Sequence, residues 1–174
     1  MTDPAFSFTI LAKDIPADGR VFVLRPEGEE RTALAQQLGI PEVSAMSAEL
    51  RVRPVGGAAY TVRGQVEATV VQTCVVTLEP FSHQVREEVD LTLMRAEDVD
   101  PSRLGDKDLV DSDEAEGPEV FHKGRIDLGV IAGEHLALAL DPYPRAPGVE
   151  FSGYTEDDEK PSPFAVLSAL KDRT

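Results

Sequence analysis

A nucleophilic thiol needs a neighbouring base or a positive field to lower its pKa. The chain offers one cysteine, Cys74, with His83 nine residues further on. A hairpin between them would bring the two across adjacent strands. Against that, Cys74 closes the run Val70-Val-Gln-Thr-Cys-Val-Val, rich in β-branched residues, where a small buried or turn cysteine is the ordinary occupant. Metal chemistry has less support. A structural zinc site takes about four Cys or His ligands in paired spacings, and His83, His122 and His135 are scattered. The stretch Asp106-Lys-Asp-Leu-Val-Asp-Ser-Asp lacks the glycine and glutamate of a calcium-binding EF-hand loop. Glycine-rich phosphate loops and the Gly-x-Ser-x-Gly elbow are missing as well. These residues predict no catalytic group, no metal and no cofactor: a protein that acts by binding.

Charge narrows what it can bind. With 32 acidic against 17 basic residues the net charge is −15, which disfavours generic adhesion to DNA, to other phosphate backbones or to anionic lipid and favours basic partners. The excess is uneven. Residues 1–95 carry net −4 and residues 96–174 net −11, most of it between Glu97 and Glu119. A self-repelling run with few apolar groups reads as a loop. Twelve of the basic residues are arginine. Arg51, Arg53, Arg63 and Arg86 fall on outward positions of expected strands, among Glu49, Glu67 and Glu88. They suit cross-strand ion pairs on a wet face or, as the sharper alternative, a local RNA-phosphate patch. An aromatic motif for stacking bases on a sheet is absent.

The elements that must position these side chains are mainly strands. Period-two alternation runs through 46–53, 60–70 and 85–93, as in strands with one buried and one wet face. Phe6–Leu11 and Val21–Leu24 are shorter candidates. A helix over Glu29–Leu38 ends at Gly39, with Ile40 placed to pack back on Leu34 or Ala35. Asp127 caps a second from Leu128 to about Leu140, with Leu128, Ile131, His135 and Leu138 along one face. Ser162-Pro163 opens a third, with Phe164, Leu167 and Leu170 as its apolar stripe. The expected fold is α+β: an antiparallel β-meander, open or curled into a small partly closed barrel, with two or three peripheral helices. One domain spans 1–174, with an acidic loop at about 97–120 and a loose Pro/acidic segment at about 142–161. Neither a signal peptide nor the ~20-residue apolar run of a membrane helix is legible, so a cytoplasmic protein is expected.

One hairpin segment is more telling than its composition. Cys74-Val-Val-Thr77-Leu78-Glu79-Pro80-Phe81 resembles the Cys-x-x-Cys-Leu-Glu-Pro turn of the YceD-like family of large-ribosomal-RNA accumulation proteins. The acidic loop, the Asp127-Leu-Gly helix ending before Pro142, and the closing Ser162-Pro-Phe-Ala-Val-Leu-Ser-Ala-Leu-Lys171 follow in that family's order. Thr77 stands where the family has its second cysteine, and Tyr143–Phe151 lacks the cysteines many relatives carry there. A role kept here would need neither zinc nor a thiol pair. The resemblance implies a bacterial or organelle-derived factor for ribosome biogenesis, not an enzyme, supporting accumulation of large-subunit ribosomal RNA. Its partner would be a ribosomal protein or a pre-ribosomal large subunit, with ribosomal RNA contact as the alternative. Cys74, Leu78, Glu79, Pro80 and Phe81 are its turn residues.

Overall fold

The computed structural model describes residues 4–56, 59–98 and 119–150. The acidic run between residues 98 and 119 and the apolar stripe after Ser162 lie outside the described residues. Among the described residues seven strands and two α-helices follow in order: β1 (Thr9–Leu11), β2 (Arg20–Leu24), α1 (Gly28–Leu38), β3 (Glu42–Pro54), β4 (Ala59–Thr73), β5 (Pro80–Arg95), β6 (Glu119–Phe121), β7 (Arg125–Asp127) and α2 (Leu128–Ala139). Five strands form a sheet in the order β2-β3-β4-β5-β6, and β1 pairs with β7 in a separate ribbon. Pairing from β2 to β5 is antiparallel, the expected meander, while β6 lies parallel to β5. The long strands extend the three alternating runs at both ends.

The sheet does not close into a barrel. Its outer strands, β2 and β6, are not hydrogen-bonded neighbours, and both helices pack on one face of it. Inward side chains Leu50, Val52, Val62, Val66, Val70 and Val89 share one core with Leu34 of α1 and Leu128, Ala132 and Leu136 of α2. A side chain of this size, fully buried, contributes roughly 1.5–3 kcal/mol. Gly64 brings β4 close to β3 in the middle of the sheet. A Cβ there would lie 1.9 Å from the Glu49 carbonyl oxygen, so only glycine fits.

Both helix boundaries follow from local chemistry. At α1 the Glu27 and Glu30 side chains bond reciprocally to backbone N–H groups, satisfying donors that the first helical turn leaves free. Gly39 adopts φ 66°, and Ile40 donates to the Ala35 carbonyl at 3.0 Å, closing the helix as its glycine predicts. Before α2, Asp127 accepts from Gly129 N at 3.0 Å and Val130 N at 3.2 Å. The same carboxylate accepts from Phe8 N at 2.9 Å, Thr9 Oγ1 at 3.2 Å and the Ser7 hydroxyl. Burial would raise its pKa, yet these hydrogen bonds outweigh that and hold it below the usual carboxylate value.

The expected face of α2 needs correction. Leu138 is 70% exposed, whereas Gly129, Ala132, Gly133 and Leu136 are buried. Small residues decide the rotation, because they let neighbouring backbone approach. A Cβ on Gly129 would lie 2.5 Å from Phe8 N, and one on Gly133 would lie 3.4 Å from Leu34 Cδ2. Phe6–Leu11 likewise yields only a three-residue strand, since residues 7 and 8 are spent crossing α2.

Gly129→Ala should therefore destabilise the fold more than Gly28→Ala, whose Cβ would meet nothing within 4 Å. Asp127→Ala should cost about 1–2 kcal/mol as a lost cap, measured by denaturant unfolding. Because the folded pKa of Asp127 is depressed, its contribution is present above about pH 4 and lost as pH falls through the folded value. The gap between wild type and Asp127→Ala should close in acid.

Candidate functional site

The β4–β5 hairpin ends in a loop that the chain after α2 folds back to hold. Cys74 N donates to the Glu79 carbonyl at 2.9 Å, and Leu78 N donates to the Cys74 carbonyl at 2.9 Å. Val75 N donates to Pro144 O at 2.9 Å, and Ala146 N donates to Cys74 Sγ at 3.4 Å. Gln72, buried on the core side, donates Nε2 to Asp141 O at 3.0 Å. That fixes its amide, so Oε1 faces His83 Nε2 at 2.8 Å and the imidazole carries its proton on Nε2. Phe81 stacks on His83, ring centres 5.2 Å apart. The sequence did signal Gln72: it continues the inward series Val66, Ala68, Val70, where a polar side chain needs a partner.

Cys74 is completely buried. The Thr77 hydroxyl first, then the N–H groups of Ala146 and Thr77, lower its thiol to about 6 against the opposing effect of burial. Thr77 thus directs a hydroxyl at the sulfur from the position where the resembling turn has its second cysteine. Across the hairpin, however, Cys74 meets Glu79, and His83 stands opposite Val70. The histidine expected as a base is bonded to Gln72 instead. A lowered pKa without access leaves the Cys74 sulfur as an acceptor for the loop's N–H groups.

The rest of the turn faces outward. Glu79 and Pro80 are exposed, Phe81 is half-buried, and Leu78 is 76% exposed. Leu78 also holds φ 61°, a left-handed conformation that costs a residue with a Cβ roughly 1–2 kcal/mol. A large apolar side chain is here both strained and directed into solvent. Neither burial nor backbone preference explains its presence.

The four arginines divide two and two. All lie on the sheet face that no helix covers among the described residues. Arg63 pairs with Asp90 at 2.9 Å, and Arg86 reaches Glu67 at 3.6 Å and the Gln65 side chain. Arg63 and Asp90 keep about two-thirds of their side-chain surface in water, 68% and 65%, so each such pair contributes little, about 0–1 kcal/mol. Arg51, directly opposite Arg63, and Arg53, opposite Thr61, are exposed and have no ion pair among the described residues. The ion-pair reading fits Arg63 and Arg86 and leaves Arg51 and Arg53 open.

This is a two-layer α+β domain whose distinctive part is a hairpin tip latched by the segment after its last described helix. Residues 62–171 match the family model described as large ribosomal RNA subunit accumulation protein YceD, and the chain belongs to that family. The match begins inside β4 and takes in the hairpin, β5 and α2, leaving out β1 to β3 and α1. No curated protein and no solved structure matches the chain.

Leu78→Gly should leave thermal stability unchanged or raise it, because glycine adopts this φ without strain. A loss of cellular function in that stable variant would mark Leu78 as a contact residue, whereas full function would reduce it to hairpin geometry. Cys74 should react with iodoacetamide more slowly in the folded protein than in the denatured chain at pH 7, despite its lowered pKa.

Proposed function

We propose that this chain is a non-catalytic, cytoplasmic factor that supports large-subunit ribosomal RNA accumulation by binding a basic ribosomal protein or a pre-ribosomal particle. The family match carries the first half of that reading. The net charge of −15 supports the second, because such a surface attracts cationic partners and repels bare phosphate. The acidic run from Glu97 to Glu119 then shields the partner's positive charge until RNA displaces it, and the strained, exposed Leu78 gives the hairpin tip an apolar contact. Among the described residues, no helix is long and apolar enough to cross a membrane.

Cells lacking the protein should show a lower ratio of large to small ribosomal RNA. An unchanged ratio would sink the reading. Deleting residues 99–118 should weaken binding to a basic ribosomal protein at low salt, and undiminished affinity would remove the shielding role from that run.

Direct RNA binding is the second reading, favoured by Arg51 and Arg53, which have no ion pair among the described residues. Replacing both with glutamine would reduce the slope of log affinity against log salt by roughly 1.4 if each meets one phosphate of a single strand. An unaltered slope would leave protein contact as the mode.

A further inference from the structure

β5 is unlike the other long strands in having one side open. It pairs with β4 from Pro80 to Arg95, but β6 takes up its other side only at Leu93–Arg95. Along residues 80–92 no strand borders that side among the described residues. Hydrogen-bonded pairs in an antiparallel ladder recur every second residue. At one hairpin Val55 N donates to Ala59 O, and at the other Cys74 N donates to Glu79 O. Both place the odd-numbered groups of β5 toward β4. The N–H and C=O groups of Ser82, Gln84, Arg86, Glu88 and Asp90 therefore point to the open side. Folded proteins cover or blunt so long an edge, because it templates pairing with another chain. By the same count β2 offers only Val21 and Val23.

Charge and shape beside that edge define the occupant. α2 packs mainly on β5. Its Gly133 side meets α1, and Glu134 and Leu138, one turn apart, face the other way. Burial first, and then the charge of Glu119 on β6, raise the pKa of Glu134. Glu87, Glu88, Glu119 and Glu134 have no ion pair among the described residues, while Arg86 and Asp90 are matched by Glu67 and Arg63. Arg145 is the basic group at the hairpin end, where a cavity of about 420 Å³ separates Phe81–Arg86 from the loop after α2. Leu138, 70% exposed, follows Glu134 one turn further along α2.

We propose that the open side of β5 receives an extended, lysine- or arginine-bearing segment of a partner protein as an added β-strand, with Glu87, Glu88, Glu119 and Glu134 meeting its charges. Main-chain bonds supply affinity in this mode, and side chains on alternate positions supply selectivity. The inference rests on the proposed basic partner and adds where that partner is held.

The test is amide hydrogen exchange on the full chain with a peptide of alternating lysine and valine, roughly ten residues long. Exchange at Ser82, Gln84, Arg86, Glu88 and Asp90 should slow by about tenfold or more, with Val21 and Val23 unchanged. Gln84→Pro should abolish the effect without unfolding the protein, since its N–H is not in the β4 ladder and proline is tolerated on an edge. Glu88→Lys with Glu134→Lys should weaken it with the backbone intact. Slowing confined to Val21 and Val23, or equal slowing by an alternating glutamate–valine peptide, would overturn the assignment. So would these amides being slow already in the free chain, or slowing as protein concentration rises without peptide, which would mean the chain itself or a second copy fills the edge. A normal ribosomal RNA ratio in cells lacking the protein would defeat the broader reading instead, and leaves the exchange result to stand or fall alone.

Discussion

The carboxylate of Asp127 is the joint on which the described structure turns. It accepts from two N–H groups at the start of α2 and from three donors in the segment Ser7–Thr9. One side chain thereby caps a helix and fastens the N-terminal strap over it. Leu128, fully buried, and Gly129, the crossing point for residues 7 and 8, complete the junction. With its start fixed, α2 delivers Asp141, Pro144 and Ala146 to Gln72, Val75 and Cys74 at the hairpin tip. The shape of the turn is set from the far end of a helix. That explains physically why an Asp-Leu-Gly sequence and a Cys-x-x-Thr turn occur together in one chain.

Where a residue's environment is local, the sequence was readable. Alternation located β3, β4 and β5, Gly39 located the end of α1, and Asp127 located the start of α2. What depended on distant approach was not readable. β6 and β7 have three residues each, too few for a period to emerge. The rotation of α2 is decided by Phe8 and Leu34, which lie far away in the chain. Whether the outer strands β2 and β6 meet depends on the path of the whole sheet, and no strand pattern reveals that they do not. In the candidate site the turn residues were legible through resemblance, but their division into buried Cys74 and exposed Leu78 was not. The arginines show the same limit. Period two put all four on one face, and only the register distinguishes Arg63, opposite Asp90, from Arg51, opposite Arg63.

Having both helices on one side leaves the sheet with a wet face, and that face is balanced: Glu49, Glu67, Glu88 and Asp90 against Arg51, Arg53, Arg63 and Arg86. The strong acidity of the chain lies elsewhere. On that face two weak ion pairs join the opposite charges, while Glu119 of β6 and Glu134 of α2 lie near each other at the edge where β6 pairs with β5. A uniformly acidic surface would attract any cation without orientation. Acidity gathered along one border gives a basic partner a direction of approach.

Direction alone does not hold a partner, since exposed charges are screened beyond about 10 Å at ordinary salt. Retention needs short-range contacts, and the two strongest candidates adjoin the same strand. At one end of β5 the strained Leu78 presents an apolar side chain that folding alone does not require. Along its length lies an open row of main-chain donors and acceptors. Long-range attraction and short-range capture thus converge on β5. Because the hairpin tip is fastened through α2 to Asp127, those contacts sit on a rigid support and not on a free loop.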